Sequence, residues 1–304
     1  MTRQPPSDLA ASVHGRLKRR FHEAGGNYEA LLLEYVAERF LYRLSMSSSA
    51  DRFILKGAML FVAWENDPHR HTRDIDFLSL VEEGADDLAR TFRDICLCQV
   101  EPDGLEFDTG SITVTPIRTA FDFAGYRAEI QPRLGRSRLP LQIDVGFGDA
   151  VVPEAVRLVY PTLLDFPAPV IRAYRRETVV AEKLQAMVQH GLDNSRMKDL
   201  CDVRALSQRF AFSGEPLTAA ISATFGSRGG AVPQALPVTF GEEFALDPAK
   251  LTQWGAFVRK ARVDPVELGE VVAALRRFLA EPYLAAARGE PLSCLLYTSP
   301  SPRD

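Results

Sequence analysis

Two aspartates separated by one apolar residue, Asp74-Ile75-Asp76, stand in the stretch RHTRDIDFLSL just before a hydrophobic run. The run predicts a strand, and side chains along a strand alternate between its two faces. Asp74 and Asp76 then share a face, while Ile75 points the other way, toward a core. Like charges this close repel, and burial strengthens the repulsion. A divalent cation between them makes the arrangement favourable. Hard oxygen ligands suit Mg2+, or Mn2+ in its place, held by one or two carboxylates together with substrate phosphates. Alone, an Asp-x-Asp pair fits a solvated strand end equally well. Asp144 weighs against that: in LQIDVGFGD it lies between Ile143 and Val145, and a charge inside an apolar strand is uncommon without a partner. If the two strands are neighbours, three carboxylates meet, and such a cluster can hold two metals around an in-line displacement at phosphorus.

Two further stretches carry polar chemistry. In LKGAMLF, Gly57 marks a strand-to-helix turn, where backbone N–H groups can approach phosphate oxygens and Lys56 can add charge. A single glycine turn is more often only a turn. In ETVVAEKLQAMVQHGLDNSRMKDLCDVRAL, Val180, Leu184, Met187 and Val188 form a helical apolar stripe with Lys183 at its edge. That lysine can snorkel to solvent or point into a cleft. After a loop, a second helix can be capped by Asn194 or Ser195; Arg196 and Asp199, and then Asp199 and Asp202, are neighbours at helical spacing. By spacing alone they read as a salt-bridged surface.

The elements that must position these residues follow from periodicity and punctuation. Residues 7–24 predict a basic helix ended by Gly25-Gly26, and Asn27 caps a second helix carrying Tyr28, Leu31, Leu32, Tyr35, Phe40 and Leu41. A strand ends near Leu55, the chain turns at Lys56-Gly57, and a helix spans Ala58 to Trp64. Strands are expected at 72–80, 105–118, 126–134 and 139–149, with a helix at 86–99. The proline-rich stretch 151–174 reads as an irregular bridge. Helices are expected at 176–190, 196–209, 215–225, 248–262 and 265–285.

The chain of 304 residues is 46% hydrophobic and 25% charged, with a net charge of −4. These are globular values, and the length allows two domains. A nucleic-acid partner would need a local basic patch, for which Arg70, Arg73, Arg172, Arg175 and Arg176 are candidates. No run of about 18 apolar residues or signal-type core is present, so no membrane association is expected. Four cysteines, at 96, 98, 201 and 294, match neither a zinc spacing nor a disulfide framework, which fits a reducing, cytoplasmic setting. Residues 294–304, CLLYTSPSPRD, resemble a translated sequencing adapter and are expected to be an artefact, with the natural C-terminus missing.

FILKGAMLF, TRDIDF, IDVGFGD, AEKLQAM and SRMKDLCD occur in that order. Together they resemble the AbiEii/AbiGii-type nucleotidyltransferase toxins of the DNA polymerase β-like superfamily, over roughly residues 25 to 285. The resemblance implies an α+β fold: a nucleotidyltransferase domain, residues 1–160, with a mixed twisted sheet and flanking helices, then a helical domain, residues 161–293, that contributes Lys183 and Asp199. It implies that Asp74 and Asp76 bind metal, that Asp144 is the third carboxylate and that Gly57, with Lys56, supports the nucleotide phosphates. Thr72 would touch phosphate and Lys183 would contact the triphosphate. Arg196, Lys198 and Asp199 match the last motif, with Asp199 in the active site. The family often has Gly-Gly or Gly-Ser at the turn; Gly57-Ala58 here lacks the hydroxyl but keeps the backbone N–H groups.

The resemblance further implies an NTP substrate, an RNA acceptor, notably the tRNA 3′ end, a role in toxin–antitoxin or phage defence, and an antitoxin with a DNA-binding region. In the expected reaction an RNA hydroxyl attacks the α-phosphorus, with Asp144 positioning or activating it, and pyrophosphate leaves. Two rivals remain open: transfer to a small molecule or protein, and a nucleotide-sensing protein without activity. The second has no need of clustered carboxylates facing a polyphosphate.

Overall fold

A computed structural model describes residues 8–64, 74–117, 125–261 and 263–296. The chain divides into two compact units, one of residues 1–148 and 156–173, the other of 149–155 and 174–304.

In the first unit, helix α1 (Leu9–Ala24) starts at Asp8, whose carboxylate accepts from the Ala11 N–H at 2.8 Å. It stops at Gly25 in the left-handed region, φ +75°. Helix α2 (Tyr28–Met46) is capped as expected: Asn27 Oδ1 accepts from the N–H groups of Glu29 and Ala30. Strand β1 (Phe53–Lys56), the short helix α3 (Met59–Trp64), β2 (Asp74–Ser79), helix α4 (Ala85–Cys96), β3 (Leu105–Ile117), β4 (Gly125–Leu134), β5 (Ser137–Arg138) and β6 (Leu141–Phe147) follow.

Strands β7 (Val156–Val159) and β8 (Val170–Ala173) complete a mixed sheet in the order β3-β4-β6-β2-β1-β8-β7, with β5 paired to β4. Strand β2 runs parallel to β6 and antiparallel to β1. One sheet face is apolar. Leu55, Ile75, Phe77, Ala128, Ile130, Ile143 and Val145 are each at most 1% exposed. Phe53 packs on Phe77 and on Phe92 of α4, and Phe92 meets Phe40 of α2. Those two helices therefore cover the apolar face and leave the other to polar residues.

The stretch 151–174 is not an irregular bridge. It holds β7 and β8, which pair antiparallel, and Ala173 pairs with Leu55 of β1. Its prolines do not oppose this, because Pro153, Pro161, Pro167 and Pro169 all lie outside the two four-residue strands and remove no ladder hydrogen bond. The connecting residues 160–169 are fastened to α2. The Leu163 N–H donates to Glu38 at 2.6 Å, and Arg39 donates to the Pro167 carbonyl at 2.8 Å. Arg39 and Arg43 both bond Asp103, in a group almost wholly out of water.

The second unit is helical: α5 (Arg176–His190), α6 (Met197–Arg209), α7 (Gly214–Ser227), α8 (Glu242–Ala245), α9 (Pro248–Ala261) and α10 (Leu268–Arg288). Val180, Leu184 and Met187 of the α5 stripe are fully buried, as are Leu217, Ile221, Leu275 and Leu279. Two-residue strands β9 (Phe212–Ser213) and β10 (Leu295–Leu296) pair antiparallel. The segment suspected of being an adapter thus supplies one short backbone pairing. The fold class is α+β, as expected: a mixed sheet with flanking helices, then a helical part. Among the described residues no helix is long and apolar enough to cross a membrane, and the four cysteines form no disulfide with one another.

Candidate active site

The polar sheet face is organised by register. Lys56 of β1 stands opposite Asp76 of β2, Asp76 beside Asp144 of β6, and Asp144 opposite Arg127 of β4. Directly paired residues project to the same face, so these four side chains form one row across four strands. A second row runs Asp74, Gln142, Glu129. The strand containing Asp144 is thus the neighbour of the one containing the pair, as the sequence reading required.

Asp144 does not stand open toward the pair. Arg127 Nε and Nη2 donate to Asp144 Oδ1 and Oδ2, each at 2.8 Å, a two-pronged contact. The Asp144 carboxylate holds the Arg127 pKa above the ordinary arginine value, despite burial, and Asp74 adds to this. Sequence reasoning missed Arg127. The only signal for it was a basic residue in a predicted strand, and its partner is set by a register the sequence does not display.

Gly57 is required by geometry. Its φ is +73°, and a Cβ placed on it would lie 2.7 Å from the Asp76 carboxylate carbon. The Asp76 side chain therefore rests on the bare Cα of the turn, and no other residue type leaves that space. Lys56 and Asp76 are half-buried and Asp74 is exposed. Thr72, Arg70 and Arg73 lie outside the described residues.

In the second unit, Lys183 of α5 donates to Asp199 Oδ1 at 2.7 Å and meets Asp202 Oδ2 at 2.8 Å. Arg196 Nε bonds Asp199 Oδ2 at 2.6 Å. The two aspartates are fully buried and Lys183 is 11% exposed, while Arg196 is 49% exposed. Spacing suggested a salt-bridged surface; instead α6 turns both aspartates inward, where the Lys183 ammonium balances them. Burial works against the charged lysine, yet the two carboxylates outweigh it and raise its pKa. Burial likewise opposes the Asp199 carboxylate, but Lys183 and Arg196 hold its pKa below the ordinary value. Lys198 is exposed.

The candidate acceptor-binding arginines among the described residues are engaged. Arg172 donates to the Asp51 carbonyl, Arg175 to the Glu154 carbonyl, and Arg176 stacks on Phe210 at 3.9 Å.

Among the described residues no three Asp, Glu, His or Cys side chains already stand in a metal-ready group. The donor set nevertheless fits a divalent cation: two carboxylates on one face, one of them cradled at Gly57, are the hard oxygen ligands such an ion takes.

Two Helicobacter pylori crystal structures are similar, at 14% identity. One is of the protein JHP933, with 84% of this chain and 90% of that one covered and a TM-score of 0.46. The other is of a candidate nucleotidyltransferase, with 86% and 95% covered and a TM-score of 0.47. No curated protein matches. The model of one family, described as nucleotidyl transferase AbiEii toxin of type IV toxin–antitoxin systems, matches residues 39–280. That span takes in every described residue of the charged rows and of the Lys183 cluster, and the chain belongs to this nucleotidyltransferase toxin family.

Proposed function

We propose that this toxin transfers a nucleotidyl group from an NTP to the 3′-hydroxyl of an RNA, specifically the acceptor end of tRNA, in a metal-dependent reaction. The observation that supports it most is the charged row Lys56–Asp76–Asp144–Arg127 with Asp74 one step along the same face. Asp74 and Asp76 would hold Mg2+ or Mn2+, which supplies charge neutralisation at the phosphates when bound.

The chain's own residues orient the rest. The Gly57 turn fixes the Asp76 carboxylate, and Lys56 and Arg127 bring fixed positive charge to the two ends of the row. Thr72 is proposed as a further phosphate contact. Arg196, the exposed member of the Lys183 cluster, is the charge the second unit offers to a triphosphate, with Asp199 as its orienting partner and Lys183 holding that carboxylate in place. The acceptor oxygen forms its bond to the α-phosphorus as the bond to the leaving pyrophosphate breaks. Developing negative charge on the phosphates is met by these cations. A cytoplasmic antitoxin with a DNA-binding region, in a phage-defence setting, completes the proposed role.

Labelled NTPs incubated with the protein and total RNA test the reading. The wild type should label RNA and concentrate the label in tRNA. Asp74→Ala and Asp76→Ala should lose transfer and growth arrest while keeping the far-UV circular dichroism of the wild type. Label retained by the Asp76 variant would remove it from the metal site. Label appearing on protein or on aminoglycosides rather than RNA would move the acceptor to another class.

A further inference from the structure

The loop between α5 and α6 ends on Arg196, and two buried groups fix that ending. Arg196 has φ −85° and ψ 62°. It is the centre of an inverse γ-turn, which the Met197 N–H closes on the Ser195 carbonyl at 3.0 Å. Its own N–H donates to Asn194 Oδ1 at 2.8 Å. Its guanidinium uses Nε for Asp199 and, among the described residues, leaves both Nη groups to donate elsewhere. The direction in which Arg196 reaches therefore depends on where Asn194 stands.

Asn194 is buried and held on its far side. Its N–H donates to the Gly191 carbonyl, and its carbonyl accepts from the Lys250 ammonium at 3.1 Å. Lys250 lies in the first turn of α9 and is only 5% exposed. Its ammonium also donates to Gln253 Oε1 at 3.2 Å, and the Phe244 ring lies 5.9 Å away. Asp247, the acid at the start of this helix, bonds the Lys250 backbone N–H. The ammonium thus rests on two neutral oxygens, whereas Lys183 is balanced by two carboxylates. Burying a charge on neutral partners is costly. An apolar side chain of similar length would fill the same space without that cost, so packing alone does not account for a lysine here. Its one hydrogen bond outside its own helix, to the Asn194 carbonyl, does.

We infer that Lys250 and Asn194 are positioning residues for nucleotide binding. The buried ammonium fixes the Asn194 carbonyl, and the Asn194 amide oxygen fixes the backbone from which Arg196 reaches the triphosphate. The inference rests on the transferase reading above. It adds to that reading two residues outside every motif that carries the family resemblance.

Titration calorimetry of the full chain, with Mg2+ and the α,β-methylene analogues of ATP, GTP, CTP and UTP, tests it. Arg196→Gln should weaken binding of the preferred analogue about tenfold. Lys250→Met and Asn194→Ala should each weaken it about three- to tenfold. Added to Arg196→Gln, either one should cost no more than about twofold further, because each acts through Arg196. That lack of additivity is a readout a merely structural role would not give. Asn194→Ala keeps the test open if Lys250→Met does not fold, since it cuts the last link and leaves the ammonium in place. Wild-type affinity in Lys250→Met or Asn194→Ala, whatever the melting temperature, would overturn the inference and leave the transferase reading standing. Double variants whose losses multiply would overturn it as well. An Arg196→Gln protein with wild-type affinity would remove Arg196 from the nucleotide site and end the inference there. A wild type that binds none of the analogues would sink the transferase reading and this inference with it.

Discussion

At the scale of residues, the site depends on a close approach that only glycine permits. Asp76 reaches its place because Gly57 has no Cβ and sits at φ +73°. Gly57→Ala adds a left-handed strain of about 1–2 kcal/mol and pushes the Asp76 carboxylate aside. A shift of about 1 Å at a reacting group can cost roughly 100-fold in rate. We expect RNA labelling by Gly57→Ala to fall on that order while the melting temperature drops only a few degrees; wild-type labelling rates would refute it. The pair itself was legible in the sequence, because the strand period of two puts Asp74 and Asp76 on one face whatever the rest of the chain does. Asp144 was legible as an anomaly. Arg127 was not, since the pairing of β4 with β6 is a tertiary choice. The burial of Asp199 and Asp202 escaped for a similar reason: helical spacing gives neighbours, not the side facing the core.

At the scale of elements, α2 does more than cover the sheet. Its Glu38 and Arg39 hold residues 163–167, and through them the strands at that edge. Burial pushes the Glu38 carboxyl up to about 7, against the opposing pull of the Leu163 N–H and Arg39. A carboxyl raised in the folded state binds more protons folded than unfolded between about pH 4.5 and 7, so its contribution is most favourable below that window and is lost as pH rises through it. The full span is worth at most roughly 3 kcal/mol. Glu38→Gln has no proton to lose there. Denaturant titrations across the window should show the variant gaining on the wild type as pH rises, and a constant difference would refute the assignment. Most helices and the longer strands were legible from period and caps. The strands β7 and β8 were not, because four residues between prolines offer too little pattern to separate a sheet edge from a loop.

At the scale of the whole molecule, the net charge of −4 said only that any RNA contact must be local, and the α+β class was legible through the family resemblance that five motifs in order carry. What the order of elements concealed is the route of the chain. It leaves the first unit after residue 148, spends 149–155 in the second, returns for 156–173, and leaves again. One backbone cut in the loop between β7 and β8 therefore separates no unit from the other. Each fragment would keep a share of both, joined through the β7–β8 and β1–β8 hydrogen bonds and through bonds from the helices to residues 149–155, such as Thr178 to the Val152 carbonyl and Arg228 to Asp149. A protease site inserted at residues 164–166 should give two bands on a denaturing gel but one peak of full size in gel filtration. Separate elution would contradict this. The toxin is thus stitched rather than strung, and a nick in that loop should not disarm it.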